Sequence, residues 1–396
     1  MSRARRSRYA WGLALCISGA ASAQTRPEPR PVAPPALCTL VRSNSLAFAA
    51  PAPAPNAQTQ LQLASTATGA IVAFRARTSD ELVVLRVDDS FVRVGEDRVV
   101  AGPVTAFSLA AAPGGAVLAA AERVARDGRD AHDDVLIARL DANGNARNIP
   151  RSLARTTRCD GVAVRPSATG FVVAWGSLDG PTTSTVTVDT RGVPTARARV
   201  VVDASAPMMV ALTGETRFAM TVRGASGSSL LHLDESGASV EAFTLSAQAA
   251  VIAALPSNVL VFSAAADGVA RWWPSSAVSE QPLLLSRTLG PSLQLVSAHN
   301  DRAALIVVDD RSGREHLVRV TSDGGSALLA SIAGARGAVA PSLDGSSLVS
   351  VTHNSVGGLD LARWTCPRVN PPTNTTAPTV SIAGADAGPE ADASSP

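Results

Sequence analysis

The chain has no Lys in its 396 residues, and its only Tyr is Tyr9. Each absence removes a class of chemistry. A phosphate-cradling P-loop ends in a Lys, so that kind of nucleotide hydrolysis is excluded. Sialidases use a Tyr nucleophile, and Tyr9 falls in a segment read below as a discarded leader. The hydrolase elbow G-x-S-x-G, the zinc motif H-E-x-x-H and the redox pair C-x-x-C are missing, and no G-x-G-x-x-G follows a strand pattern. Aromatic residues make up only 4% of the chain, which leaves few anchors for sugars or protein hot spots. No apolar run approaches the roughly 20 residues of a membrane helix, so no transmembrane segment is expected.

What is present begins with an address. Arg3, Arg5, Arg6 and Arg8 precede a short apolar stretch, Trp11 to Ile17, and then Ala21-Ser22-Ala23. A basic start, a short apolar core and an A-x-A site form a secretory signal, predicted over 1–23. Two other readings fit less well: a twin-arginine signal at Arg5-Arg6, and a lipoprotein Cys16, whose neighbour Leu15 is too large. The chain is therefore expected to be exported, to the periplasm, the cell surface or the outside. Of 35 basic and 33 acidic residues the leader takes four Arg, leaving 31 against 33. A near-neutral remainder gives no overall footprint for nucleic acid or an anionic membrane.

Residues 24–37 are Pro-rich and read as a linker. Residues 370–396 hold three acids and no base, which is the composition of a disordered tail. Between them, 38–369 repeats. Apolar runs start at Gly69, Gly115, Gly170, Arg217, Asn258, Arg302 and Ser347, on average about 46 residues apart. Alternating segments follow and end in turn chemistry: Val87-Asp88-Asp89, Asp141 to Gly144, Asp189 to Gly192, Asp234 to Gly237, and Val320 to Gly324. Asp opening a turn with Gly three residues on suits a type I turn closed by a left-handed residue. Trp273-Pro274 and Trp364-Thr365 hold that place in two degenerate copies. Thr321 to Gly325 partly matches an Asp-box, but Leu328 replaces its Trp, so it reads as a plain turn.

A strand apolar at every position is covered on both faces. Blades of a β-propeller provide such cover, and four-stranded blades match the period. The expected fold is all-β: a single propeller, seven blades by count with six the alternative, closed by strands from both termini. A row of β-sandwiches, at about 100 residues each, fits the period less well. Gly170 to Trp175 and Val135 to Gly144 carry a fold-level resemblance to degenerate secreted bacterial propeller repeats, covering about 60–366. It implies architecture only, since such repeats serve many roles.

The last unit lacks an outer strand, which the orphan segment Cys38 to Phe48 can supply. That would bring Cys38 near Cys366 as a structural disulfide, with Cys159 the spare thiol. Pairing of Cys38 with Cys159, or no pairing, stays open. In the acidic stretch Arg126–Asp134, the residues Asp127, Asp130, Asp133 and Asp134 are Ca²⁺ candidates, set against a solvated loop. His299, His316 and His353 recur in adjacent units without metal-site spacing, and Trp272-Trp273 is a candidate platform. No catalytic or cofactor-binding residue is assigned. The reading is an exported, monomeric, non-catalytic binding or scaffold module with an unknown protein or cell-envelope partner. The alternative is a hydrolase or lyase whose acids meet at a central channel.

Overall fold

The computed structural model describes residues 39–47, 61–76, 79–112, 114–125, 131–211, 217–224, 227–245, 249–255, 258–264, 270–274, 281–282, 289–299, 303–310, 315–321, 326–332, 335–341, 347–354 and 357–365. They are strands and turns, and none of them forms a helix long and apolar enough to cross a membrane. In chain order come β1 (Thr39–Leu46), β2 (Leu61–Thr66), β3 (Gly69–Arg75), β4 (Glu81–Asp88), β5 (Arg98–Ala112), β6 (Gly115–Val124), β7 (His132–Asp141), β8 (Arg151–Thr156) and β9 (Cys159–Pro166). Next are β10 (Gly170–Ser177), β11 (Thr182–Asp189), β12 (Arg199–Val202), β13 (Ser205–Ala211), β14 (Phe218–Gly224), β15 (Gly227–Leu233), β16 (Ser239–Leu245), β17 (Ala249–Leu255) and β18 (Asn258–Ala264). The last are β19 (Ala270–Pro274), β20 (Gln281–Pro282), β21 (Leu289–His299), β22 (Ala303–Asp310), β23 (Glu315–Thr321), β24 (Ser326–Ile332), β25 (Ala335–Pro341), β26 (Leu348–His353) and β27 (Leu359–Thr365).

Four sheets follow chain order: β9 to β12, β13 to β16, β17 to β20 and β21 to β24. A seven-stranded sheet runs from β2 to β8, because β5 serves twice. Its first part, Arg98 to Pro103, pairs with β4, and the rest, from Val104, pairs with β6. The remaining sheet has the order β1-β27-β26-β25. The N-terminal strand therefore lies against the last strand of the chain, from Thr39↔Thr365 to Leu46↔Leu359.

The apolar runs become β3, β6, β10, β14, β18, β22 and β26, and the alternating segments become the strands after them. The apolar runs are not the innermost strands but the second, each preceded by another: β2, the later part of β5, β9, β13, β17, β21 and β25. Those strands mix small and polar residues, as in CDGVAVRP of β9, so no period of two marks them. They touch one another in the order β2, β5, β9, β13, β17, β21, β25 and back to β2.

Apolarity at every position of the second strands has a direct cause. In β10, Phe171, Val173 and Trp175 face one core, with Val117, Ile137 and Val164. Val172 and Ala174 face the opposite core, with Phe218 and Met220. β3 divides likewise between a core shared with Val349 and Leu361 and one shared with Phe107 and Leu118. Each large side chain buried in this way contributes roughly 1.5–3 kcal/mol. Gly170 opens its strand because a Cβ there would strike the Val188 carbonyl oxygen.

The turns lock successive repeats together. Asp141, Asp189 and Asp234 each accept, at Oδ1, the N–H groups two and four residues ahead. Gly144, Gly192 and Gly237 take φ of 74°, 81° and 74°, the left-handed region that glycine enters without penalty. The glycine surfaces lie on the preceding repeat: Gly144 by Val84, Gly192 by Ile137, and Gly237 by Thr185. The Thr185 hydroxyl donates to the Gly237 carbonyl at 2.7 Å. In the first repeat Phe91 holds this place at φ 60°, costing about 1–2 kcal/mol for a residue with a Cβ. Compensation comes from complete burial of Phe91, an Asn44 side chain donating to its carbonyl at 2.9 Å, and the Arg363 guanidinium 5.5 Å above its ring. That turn therefore docks on β1 and β27.

Candidate functional site

Several polar side chains between the sheets are bound to backbone. Asp133 has a fully buried side chain. Its Oδ2 accepts the Cys159 N–H at 2.7 Å and the Thr105 hydroxyl at 3.3 Å, and its Oδ1 accepts from Arg123 at 3.0 Å. Asp160 accepts the Ala206 N–H at 3.0 Å, one repeat further on. Gln62 bridges β2 to β5, donating to the Phe107 carbonyl and accepting the Leu109 N–H. Ser108 accepts the Val164 N–H at 3.2 Å. These side chains satisfy strand edges that face each other without a ladder.

The sequence candidates divide accordingly. Asp127, Asp130, Cys38 and Cys366 lie outside the described residues. Asp133 and Asp134 are consecutive in β7 and point to opposite faces. Asp134 pairs with Arg155 at 3.2 Å and lies 3.6 Å from His132. The solvated-loop reading is thus corrected for Asp133, which is a buried link between repeats. No group of three His, Cys, Asp or Glu able to hold a metal ion occurs among the described residues. Cys159 is buried, donates to the Gly161 carbonyl, and is free; burial, helped by the nearby Asp133 charge, pushes its thiol up to about 12. Burial holds the His353 imidazole below its ordinary value. His299 and His316 lie on β21 and β23 and Trp272-Trp273 on β19, with side chains outside the described set. Trp175 is core, and Trp364 donates to Ser350 at 2.9 Å. A small surface hollow lies among Val100, Leu118, Leu136 and Pro150, and its lining holds no titratable group.

The surface tells a different story at two outer edges. β8 and β12 end their sheets, each hydrogen-bonded on one side only. Residues 142–158 carry Arg147, Arg151, Arg155 and Arg158 and no acid, and 190–202 carry Arg191, Arg197 and Arg199 and no acid. All seven are exposed. Arg155 pairs with Asp134 and Arg191 with Asp189. Arg151, Arg158 and Arg197 make no ion pair among the described residues, whereas the Arg199 charge, after the Ser236 hydroxyl and the Ala238 and Ser236 N–H groups, helps hold the Asp234 carboxyl below its ordinary value against burial. The two edges meet where the Asn148 side chain donates to the Arg191 carbonyl at 3.2 Å. Register aligns them further: Arg151 faces Ile137 and Arg199 faces Thr185, each partner four residues before its turn aspartate. Exposed Ile149 and Val200 sit among the arginines. The next outer edge inverts the sign, with Asp234, Glu235 and Glu241 and no Arg over 234–245. Net charge near zero hid this contrast; acid-free windows in the sequence reveal it.

No protein-family model and no curated protein matches the chain. Solved structures do. One is BBS1N in complex with ARL6DN, soaked with mercury: TM-score 0.55, 13% identity, covering 84% of this chain and 98% of that one. The lead-soaked form has a TM-score of 0.56 and 12% identity, covering 85% and 99%. The WD40 β-propeller domain of Doa1 has a TM-score of 0.52 and 11% identity, covering 82% and 96%. At such identities the likeness concerns the fold, which is that of a β-propeller.

Proposed function

We propose that the chain is an exported, non-catalytic β-propeller of seven four-stranded blades, closed by β1, that binds or scaffolds a protein partner. We further propose that the arginine edge of β8 and β12 receives an extended acidic segment of that partner. Seven blades are supported by the double use of β5, which splits the seven-stranded sheet into two groups of four. Closure is supported by the β1–β27 ladder and by the docking of the Phe91 turn on β1. Export rests on the leader pattern of 1–23, and a Gln24 N-terminus on the protein recovered outside the cytoplasm would bear it out. A solved β-propeller neighbour is named in complex with ARL6DN, which agrees with a protein partner.

The single observation behind the binding surface is a run of exposed arginines on two acid-free stretches that hold the edge strands β8 and β12, with Arg151, Arg158 and Arg197 in no ion pair among the described residues. An edge strand offers free backbone N–H and C=O groups to an extended peptide, and guanidinium forks suit carboxylates. Titration of the purified exported protein with a fluorescent peptide of alternating Glu and Val tests this. Binding that weakens with salt, and drops about tenfold in R151E/R199E, is the expected result. Equal binding of a Lys-Val peptide, or an unchanged affinity in the variant, would overturn it. So would preference for vesicles of acidic lipid or for a polyanionic sugar.

A further inference from the structure

We propose that Arg165, on the innermost strand β9, anchors a binding site for a small free oxyanion, carrying a carboxylate or phosphate group. The site is separate from the edge of β8 and β12 and does not depend on what that edge binds.

Position in the repeat marks this residue. On each innermost strand one residue faces the third residue of the neighbouring apolar run. In chain order these are Ala64, Ala110, Arg165, Val210, Ala253, Ala298 and Ala340. Packing does not call for an arginine there, since alanine fills the same place in five of the repeats. Strand alternation puts Arg165 on the face of β9 that carries Gly161 and Ala163. That face turns toward the next repeat. A Cβ on Gly161 would lie 3.2 Å from Ala206, and Ala163 shares a core with Met209.

The charge of Arg165 has no counterpart. The side chain is half-buried, and its hydrogen bond runs from Nη1 to the Val164 carbonyl at 2.6 Å. Among the described residues it makes no ion pair. Other arginines near the core are committed: Arg139 lies 5.2 Å over the Phe171 ring, Arg123 pairs with Asp133, and Arg363 pairs with Asp89. Along the innermost strands the one acid is Asp160, and its carboxylate accepts the Ala206 N–H. Arg336, the other arginine of those strands, stands at the start of β25, four residues before Ala340. Burial lowers the Arg165 guanidinium to about 10, so it remains a cation at neutral pH. A partly desolvated cation is costly until an anion joins it. No Arg165 nitrogen is both buried and unpartnered, so its other N–H groups open to solvent. A guanidinium fork with free N–H groups takes two oxygens of one oxyanion. The lower local dielectric strengthens that attraction over the attraction at a fully solvated arginine.

Melting of the purified full-length protein, titrated separately with sodium phosphate and sodium succinate at an ionic strength fixed with chloride, reads the outcome. The expected result is a melting temperature that rises to a plateau with phosphate or with succinate, and the anion that acts identifies the group. The rise disappears in R165A and persists in R151E/R199E. R165A installs the residue of the other repeats, so it is expected to fold, and R165Q should behave in the same way. Calorimetric titration with the active anion gives the second readout: one site per chain in the wild type, and an affinity about tenfold weaker or less in R165A and R165Q. A wild type that responds to neither anion beyond chloride would overturn the proposal without reference to any variant. So would a response that R165A and R165Q retain, or one that R151E/R199E loses, which would assign the anion to the outer edge.

Discussion

The seams between sheets and the outer edges of β8 and β12 use charged residues in opposite ways. Between sheets, Asp133 and Asp160 are bound to backbone N–H groups of the next repeat, and Asp133 also holds Arg123. At the edges, Arg151, Arg158 and Arg197 face solvent with no ion pair among the described residues. The inner groups are committed to folding, and the edge groups are uncommitted. A polar group already satisfied within the fold has little to offer a ligand, so binding is sought where satisfaction is incomplete.

This contrast can be broken from either side. The largest loss of stability is expected from Phe171→Ala in the core shared by β6, β7, β9 and β10, about 3–5 kcal/mol. Denaturant unfolding would read it. Asp133→Ala comes next, at about 3 kcal/mol, because it strands the Cys159 N–H and leaves Arg123 without its carboxylate. Hydrogen exchange should show faster exchange at β9 first, and an unaltered β9 would remove Asp133 from the seam. Asp189→Ala should cost less than Asp133→Ala, by freeing the N–H groups of Arg191 and Val193 at a solvent-exposed turn. The Val193 N–H, with Arg191, holds the Asp189 carboxyl below its ordinary value. A depressed folded value means stability present above the unfolded value near 3.8 and lost as pH falls through the folded one. Melting of the wild type should therefore decline below about pH 4 more steeply than that of Asp189→Ala. The smallest change in stability, within about 0.5 kcal/mol, is expected for R151E/R199E, although this variant should bind the acidic peptide about tenfold more weakly.

The sequence showed some of this and concealed the rest for physical reasons. The second strands were legible because burial on both faces demands apolar residues throughout, as in Gly170 to Trp175. The turns were legible because Asp and Gly have distinct backbone chemistry. The innermost strands were not, since β9 and β13 alternate neither by polarity nor by size. Phe91 could not be foreseen in a left-handed position, where glycine is the rule. Asp133 sat in a stretch dense in charge, and its burial depends on β9, which is distant along the chain. The arginine edge escaped notice because acids elsewhere, such as those at 234–241, balance it in any whole-chain sum.

Hydrogen exchange of the purified protein with and without the Glu-Val peptide tests the central claim most directly. The account predicts slowed exchange confined to 145–158 and 190–202, reached only at about tenfold more peptide in R151E/R199E. Protection on the innermost strands β2, β5, β9 and β13 instead, with the edges unchanged, would contradict it and move the site to the channel.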